Sequence, residues 1–202
     1  MCGRYYIPDE PDETLRQIIA AVNRRPPAGA LKCAGEVFPS DVVPVVANSR
    51  AMKPAAFAMR WGYALDGGRR VINARSETAE AKPMFRDGML RRRCLIPAGH
   101  YFEWARSLPG KPKYAIRPRD EGLMWMAGLY RPEAELPAFV VLTRPPAENL
   151  AFIHDRMPVL LSGDAARAWL NLSLPPAGTL ERAELNVRFA REGNAQMGME
   201  IE

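Results

Sequence analysis

Apolar and polar positions recur with two different periods along the chain, and each period predicts its own kind of element. Between residues 12 and 24, Leu15, Ile18, Ile19 and Val22 stand at helical spacing behind acidic residues, which predicts an amphipathic helix. Weaker helical signals lie at 76–80 with Ser76 as the cap, at 84–92, at 146–153, and from Ser162 or Asp164 through Leu170.

Runs rich in β-branched and aromatic residues, ended by glycine or proline, predict strands between these helices. The runs are 42–47, 55–61, 93–97, 100–104, 113–117, 123–130, 138–143 and 157–161. They follow one another through the middle of the chain without a helix between each pair. This order predicts an α+β fold with a mostly antiparallel, curved or barrel-like sheet and peripheral helices.

Composition is ordinary for a globular protein, and it narrows the function only by exclusion. The 202 residues, 48% of them hydrophobic, suffice for one domain over 1–202 with a sizeable core. Apolar runs stay well short of 18 residues, so we expect no membrane span. The N-terminal stretch is acidic and lacks the apolar segment of a signal peptide, so we expect no secretory signal. Three cysteines favour a reducing compartment, and we expect a cytoplasmic protein.

The charge balance permits a polyanionic partner without demanding one. Net charge is +5, from 28 basic and 23 acidic residues. The run 91–93 is all arginine, and by default such a run is a solvated surface. Arg4 beside Cys2 and Arg75 beside Asn73 are more informative, because they place cations next to residues capable of chemistry.

Cys2 is the most informative residue in the chain. Removal of Met1 would leave Cys2 with a free α-amine beside its own thiol. Such a 1,2-aminothiol condenses with an aldehyde to a Schiff base and then closes a five-membered thiazolidine ring. It could instead serve as an N-terminal nucleophile in amide hydrolysis. Position alone also allows a plain alternative, in which Cys2 is a small buried hydrophobe.

Four segments combine polar groups with rigid apolar flanks: 2–5, 71–77, 94–104 and 153–158. Each has an ordinary structural interpretation when taken alone. Asn73 could cap a turn, Glu103 could pair with a surface arginine, and His154 could be a satisfied interior histidine.

Taken together, the segments resemble the SRAP family, the proteins called SOS response-associated peptidases. The shared motifs are Met-Cys-Gly-Arg-Tyr (1–5), Arg-Trp-Gly (60–62), Asn-Ala-Arg-Ser-Glu-Thr (73–78), Arg-Cys-Leu-Ile-Pro-Ala (93–98), Glu-Trp (103–104), Ala-Gly-Leu (127–129) and Ile-His-Asp-Arg-Met-Pro (153–158). The resemblance runs from Cys2 to about Pro158. It implies the SRAP fold, and the activity of shielding abasic sites in single-stranded DNA through a covalent link to the N-terminal cysteine.

The same resemblance implies four catalytic residues: Cys2, Asn73, Glu103 and His154. We expect His154 to protonate the sugar oxygen during ring opening and Glu103 to move protons around the Cys2 amine, although these two roles could be exchanged. Asn73 would orient the terminal amine or the sugar, because an amide offers donors and an acceptor without charge.

DNA contacts are implied at six further positions. Arg4, Arg75 and Arg156 match positions that contact phosphates, and the planar guanidinium suits phosphate oxygens. Thr143 would support the backbone, while Trp61 and Trp104 would offer stacking surfaces to flanking bases. Trp125 and Trp169 are instead expected in the core.

Partners and alternatives complete the sequence-based hypothesis. We expect single-stranded DNA containing abasic sites as ligand, a monomer, a nucleoid location, contacts with replication-fork proteins, and no cofactor. Three scattered cysteines and two histidines lack paired ligand spacing, so no metal is expected. The rival functions are a cysteine peptidase or autopeptidase using Cys2, and a non-covalent single-strand binding module.

Two departures from the family pattern stand out. The loop at 62–70, with Gly67, Gly68, Arg69 and Arg70, replaces the commoner continuation after Arg-Trp-Gly. His100 lies near Glu103 in sequence, but on a regular strand it would face the other way.

Overall fold

The computed structural model describes residues 2–27, 29–119 and 122–193. The strongest helical pattern is confirmed as α1, Glu13–Asn23. It begins where the Oδ1 atom of Asp12 accepts a 2.7 Å hydrogen bond from the amide of Leu15, as an N-cap residue does. Leu15 and Val22 are buried, so the apolar stripe of the sequence is the face that packs.

The remaining helices are short. They are α2 (Ser76–Ala79), α3 (Pro83–Arg91), α4 (Gly163–Leu170) and α5 (Pro176–Leu180). Ser76 is the first residue of α2 rather than its cap, and its hydroxyl makes no capping bond. The helix expected over 146–153 was wrong. Only a 3-10 turn forms there, Glu148–Leu150, and it begins after Ala147, whose backbone is extended at ψ 151°.

Strands in the described ranges outnumber the eight runs that the sequence predicted. They are β1 (Tyr5–Ile7), β2 (Gly35–Val37), β3 (Val42–Asn48), β4 (Pro54–Trp61), β5 (Tyr63–Ala64), β6 (Arg70–Val71), β7 (Asn73–Arg75), β8 (Arg93–Ala98), β9 (His100–Trp104), β10 (Lys113–Pro118), β11 (Met124–Arg131), β12 (Ala138–Arg144), β13 (Met157–Pro158), β14 (Leu160–Leu161) and β15 (Val187–Arg191).

Five of these strands close into a ring. Around it the order is β4, β3, β8, β11 and β12, and the last pairs back onto β4. The closing pair is parallel, with Phe139 opposite Trp61, whereas the other pairs of the ring are antiparallel. The α+β fold with a mostly antiparallel, barrel-like sheet and peripheral helices is therefore confirmed. Strand β7 lies parallel against β12, outside the ring path.

A second, five-stranded sheet has the order β15-β10-β9-β1-β2 and is antiparallel throughout. It receives the start of the chain at an interior position. Tyr5 on β1 lies opposite Tyr101 on β9 and opposite Val37 on β2. The residues just before β1 are thereby held beside the strand that carries Glu103.

The strand expected over 157–161 is broken into two at Val159. Met157–Pro158 pairs with β12, and Leu160–Leu161 pairs with β11. Val159 lies between these partners: its amide donates to the carbonyl of Leu142 at 2.8 Å, and its carbonyl accepts from Ala127 at 2.9 Å. The chain changes partner here without losing backbone hydrogen bonds.

Two apolar clusters make up the core. One contains Cys2, Tyr5, Tyr101 and Trp61, and the other lies under α3 and α4 and includes Trp169. Trp169 is fully buried, so its expected interior placement is confirmed, whereas Trp125 is partly buried and packs against the edge of the same cluster. The described helices are too short to cross a bilayer. The acidic tail at 199–202 lies outside the described residues.

Candidate functional site

A hydrogen bond ties the start of the chain to β7. The Nδ2 atom of Asn73 donates to the backbone carbonyl of Cys2 at 2.9 Å, across a sequence separation of 71 residues. Asn73 is the first residue of β7, and its pairing with Val141 fixes its backbone. Cys2 itself is fully buried. Two of the four expected catalytic residues therefore meet.

Glu103 lies on β9 beside this pair. Only 3% of its surface is exposed, and the strand register puts its side chain on the same face as Tyr101. Burial raises the pKa of the Cys2 thiol well above its ordinary value, and the charge of Glu103 raises it further. Cys2 is therefore held as a neutral thiol within electrostatic reach of this carboxylate.

Three buried polar atoms around Cys2 make no hydrogen bond within the described part of the chain. They are the hydroxyls of Tyr5 and Tyr101 and the Oδ1 atom of Asn73. Burial raises the pKa of both tyrosines, and the nearby Cys2 raises them further. Because buried polar groups are nearly always paired, such a cluster is typical of a place where a ligand supplies the missing partners.

His154 lies on the segment between the 3-10 turn and β13, with 14% of its side chain exposed. Its Nδ1 atom is 3.1 Å from the amide of Arg156 and 2.7 Å from Oδ1 of Asp155. The first contact needs a deprotonated Nδ1 and the second a protonated one. We favour the first, because the amide proton is fixed by the backbone while Asp155 is 79% exposed. The neutral ring then carries its proton on Nε2.

The segment that carries His154 packs at the Glu103 end of β9. The ring of Phe152, two residues before His154, lies 5.7 Å from the ring of Tyr114, and Tyr114 is the cross-strand partner of Glu103. The hydroxyl of Ser107 lies 3.4 Å from the carbonyl of Phe152. The segment that carries His154 therefore packs against the sheet that carries Glu103.

Arg156 is engaged by protein groups. Its guanidinium binds both oxygens of Glu77, at 2.6 and 2.8 Å, and donates to the carbonyl of Thr143 at 2.6 Å. Hydrogen bonding to Arg156 lowers the pKa of Glu77 to about 2. With 8% of its surface exposed, Arg156 ties the His154 segment to α2, so its expected phosphate contact would have to compete with Glu77.

Two expected DNA contacts are corrected by burial. Trp61 has no exposed surface; its ring centroid lies 5.2 Å from that of Tyr5, and its Nε1 donates to the carbonyl of Ile72 at 3.0 Å. Thr143 is also fully buried, beneath Arg156. An interior ring has no face for a base, so Trp61 supports Tyr5 and Thr143 supports Arg156.

Arg4 and Trp104 do lie together near the surface. The Cζ atom of Arg4 is 5.0 Å from the Trp104 ring centroid and 4.3 Å from that of Phe38, and its Nη1 atom pairs with Glu36 at 3.1 Å. Lys113 also pairs with Glu36. The sequence reasoning missed Phe38, which is 39% exposed; its signal was a large aromatic residue beside Pro39 in a turn.

Arg75 differs from the other two arginines. It is exposed as the last residue of β7, two positions after Asn73 on the same strand, and no ion pair to it occurs among the described residues. His100 faces away from Glu103 as expected, since it stacks on Tyr6 with ring centroids 4.8 Å apart. No group of three or more metal-ligating side chains occurs in the described ranges.

The strand ring, the second sheet and a buried cysteine at residue 2 define a class of α+β proteins whose site is built around the start of the chain. Comparison identifies the class: the model of the family "SOS response associated peptidase (SRAP)" matches residues 1–190, and the chain belongs to this family.

Individual relatives agree with this assignment. The chain is 34% identical over 183 residues to "Abasic site processing protein YoqW" of Bacillus subtilis (strain 168), covering 85% of this chain and 80% of the relative. It is 33% identical over 116 residues to "Abasic site processing protein YedK" of Escherichia coli (strain K12), covering 54% and 52%. A solved structure from Bacteroides thetaiotaomicron, 20% identical, superposes with a TM-score of 0.75 over 96% of this chain and 93% of the other, which shows the fold.

Proposed function

We propose that this protein captures abasic sites in single-stranded DNA, by forming a thiazolidine between the sugar aldehyde and the amine and thiol of Cys2 after Met1 has been removed. The observation that carries the proposal is the hydrogen bond from Asn73 to the carbonyl of Cys2, beside the buried Glu103. The names of the relatives, which are called abasic site processing proteins, point to the same substrate.

The amine attacks first. A model α-amine has a pKa of about 7.7–8.0, so a useful neutral fraction exists near neutral pH. The thiol is the weaker nucleophile in this setting, because burial raises its pKa and thiolate is the reactive form. Attack of the amine on the aldehyde carbon, followed by loss of water, gives the Schiff base.

Ring closure then uses the protonated thiol. The Cys2 sulfur bonds to the imine carbon, and the thiol proton passes to the imine nitrogen, so that no external reagent is consumed. The step is intramolecular and benefits from a high effective concentration. Asn73 contributes by holding the carbonyl of Cys2, which limits the motion of the residue carrying both reacting atoms.

Proton transfers fall to Glu103 and His154. Opening of the closed sugar requires a proton on the ring oxygen. His154 donates it from Nε2 in its doubly protonated form, in which Nδ1–H turns to Oδ1 of Asp155 2.7 Å away, and the ring is left neutral after the transfer. Glu103 accepts a proton as the amine attacks and returns it as water leaves. The two residues could exchange these roles without changing the overall balance.

Exposed Arg75 is the candidate phosphate contact, and Arg4 with Trp104 offers a cation beside an aromatic ring. Arg156 acts through position, since it fixes the His154 segment through Glu77 and Thr143.

The burial of Cys2 sets a condition. An amide nitrogen cannot form a Schiff base, so capture requires cleavage of the Met1–Cys2 bond to free the amine, and the 0% exposure of Cys2 means that the sugar must also displace the groups that cover it. Of the peptidase functions, we retain only self-cleavage at this bond. Turnover of unrelated peptides is disfavoured, because burial suppresses the thiolate that a general cysteine peptidase needs.

Intact mass spectrometry before and after mixing with an abasic oligonucleotide tests the proposal. We expect loss of Met1, and then an adduct heavier by the oligonucleotide less one water that survives heating. Cys2→Ser and Cys2→Ala keep the amine where Met1 is removed, so they should give only an adduct that borohydride must trap.

Two outcomes would contradict the proposal: a heat-stable adduct in either variant, or wild-type protein that binds abasic DNA without any mass increase. The second result would favour the non-covalent binding module.

A further inference from the structure

Three aromatic side chains meet beside the proposed capture site and are not used by the mechanism. The rings of Tyr114, Phe152 and Phe189 contact one another in pairs, with centroids 5.3–5.7 Å apart and planes 66–87° apart. Phe152 is 42% exposed, whereas Tyr114 and Phe189 are half-buried against the core. We call these three residues the aromatic shelf.

The shelf includes the cross-strand neighbour of Glu103. Tyr114 is opposite Glu103 on one side and opposite Arg191 on the other, so all three side chains lie on one face of the second sheet. Strands are about 4.8 Å apart, which sets Tyr114 about 5 Å and Arg191 about 10 Å from the backbone of Glu103. A stacked strand of DNA advances about 3.4 Å per nucleotide, so these distances correspond to one to three nucleotides.

Charge favours a nucleic acid over an apolar partner. Arg191 is exposed at the sheet edge. Arg106 and Lys111 are exposed on the turn whose Ser107 hydroxyl contacts the carbonyl of Phe152. An aromatic surface edged by cations matches the way in which proteins hold single strands, with bases on rings and phosphates on basic groups.

We propose that the aromatic shelf binds the base of a nucleotide within three positions of the captured sugar, on one side of it, with Arg191 as the phosphate contact. This rests on the proposed function, and it assigns that site a second stacking surface, distinct from the one that Trp104 and Phe38 form with Arg4. Trp104 projects from the opposite face of β9 to Glu103, so the two surfaces flank the site on different faces of the sheet.

The test uses oligonucleotides with a central tetrahydrofuran residue, which lacks the aldehyde and cannot be cross-linked. In a series, the bases at each of three positions on either side are removed one at a time, leaving the phosphates. Fluorescence anisotropy gives the dissociation constant of each oligonucleotide for wild type, Phe152→Ala and Phe152→Trp. Leu174→Ala is the matched control, because Leu174 is also 42% exposed but lies after α4.

For wild type, removal of one particular base should weaken binding about 5-fold to 150-fold, the range for one stacked base. Phe152→Ala should weaken binding of the complete oligonucleotide by the same factor and be insensitive to removal of that base. Phe152→Trp should restore the sensitivity, and its indole fluorescence should be quenched on binding. Leu174→Ala should behave as wild type.

If Phe152→Ala loses the same affinity for every oligonucleotide, or loses none, the aromatic shelf is not a base-binding surface. A shelf that instead joins two copies of the chain would show as concentration-dependent sedimentation of wild type, absent in Phe152→Ala, with DNA affinity unchanged. Failure of the proposed function is distinguishable, because wild type would then bind the tetrahydrofuran oligonucleotides but form no adduct with abasic DNA, and the dependence of binding on the shelf would still be measured.

Discussion

The side-chain amide of Asn73 donates a 2.9 Å hydrogen bond to the carbonyl of Cys2, and thereby fastens the second residue of the chain to a strand 71 positions away. The same amide leaves its oxygen, Oδ1, buried without a partner in the described part of the protein. One side chain thus both holds the candidate nucleophile and presents an acceptor beside it.

Asn73→Ala should slow covalent capture about fivefold while changing non-covalent affinity little. The lost bond is worth about 1 kcal/mol, and its loss frees the residue whose amine and sulfur must both reach the aldehyde. Asn73→Asp should be slower still, because a carboxylate not only lacks the donor but also repels the carbonyl oxygen that it faces. Adduct formation followed on denaturing gels gives the rates, and a tetrahydrofuran oligonucleotide gives the affinity. Unchanged rates in both variants would show that Asn73 is only structural.

Tyr101→Phe should separate stability from activity. The Tyr101 hydroxyl is buried and makes no hydrogen bond within the described residues, so its removal should leave the free energy of unfolding unchanged or raise it by up to about 1 kcal/mol. If the hydroxyl binds the sugar, capture should slow several-fold. Urea unfolding and adduct kinetics measure the two effects.

Tyr130→Phe, a change on β11, is the control and should alter neither quantity. A Tyr101→Phe protein that is less stable than wild type would mean that the hydroxyl has a partner in solution, and the ligand-binding interpretation would fail.

The periodicity of apolar residues was sufficient to predict those helices and strands that bury one face. The apolar stripe that includes Leu15 and Val22 predicts α1 to within one residue at each end, because the spacing of apolar residues in an amphipathic helix marks its buried face. Strands of three residues, such as β1 and β7, carry too few positions for a period and were missed. Both hold site residues, so the fold at the site was the harder part to predict.

The burial of particular side chains could also not be predicted from the sequence. Trp61 follows a strand pattern that suits either a core or a surface ring, and only the parallel pairing of Phe139 with Trp61 decides for the core. Arg156 belongs to a motif with exposed-looking charges, yet Glu77, 79 residues earlier, engages it. Contacts between distant segments set both outcomes, and local pattern does not encode them.

The Glu77–Arg156 pair should make stability depend on pH in acid. The pKa of Glu77 is about 2 in the folded protein and near 4.5 ordinarily. A depressed pKa adds stability that is complete above about 4.5 and is lost as pH falls toward 2. Since Glu77 is 43% exposed, solvent screening limits the contribution to about 1 kcal/mol at neutral pH.

Glu77→Gln isolates this effect, because glutamine retains an oxygen acceptor for Arg156 but has no charge to lose. Urea unfolding of both proteins from pH 7 to pH 2 should show wild type more stable at neutral pH, with the difference closing between pH 5 and 2. If the difference in free energy of unfolding between the two proteins persists unchanged at pH 2, the stabilisation comes from packing and hydrogen-bond geometry rather than from the charge of Glu77.

Arg75→Ala should weaken binding of single-stranded DNA and make it less sensitive to salt. Arg75 is exposed next to Asn73 and has no ion pair in the described ranges, so its charge is available to a phosphate. Each phosphate contact on a single strand contributes about 0.7 to the slope of log affinity against log salt concentration, and the variant should lose about that much. Arg75→Lys should keep the slope but bind less tightly, because ammonium cannot make the bidentate contact.

Arg91→Ala removes an exposed arginine from the end of α3 and serves as the matched control. Anisotropy titrations between about 50 and 200 mM salt give the slopes, over the range in which phosphate contacts alter affinity strongly. Equal slopes for wild type and Arg75→Ala would remove Arg75 from the interface. An equal loss of slope in Arg91→Ala would indicate a diffuse attraction to the basic surface, because only a localised contact makes one arginine matter more than another of the same exposure.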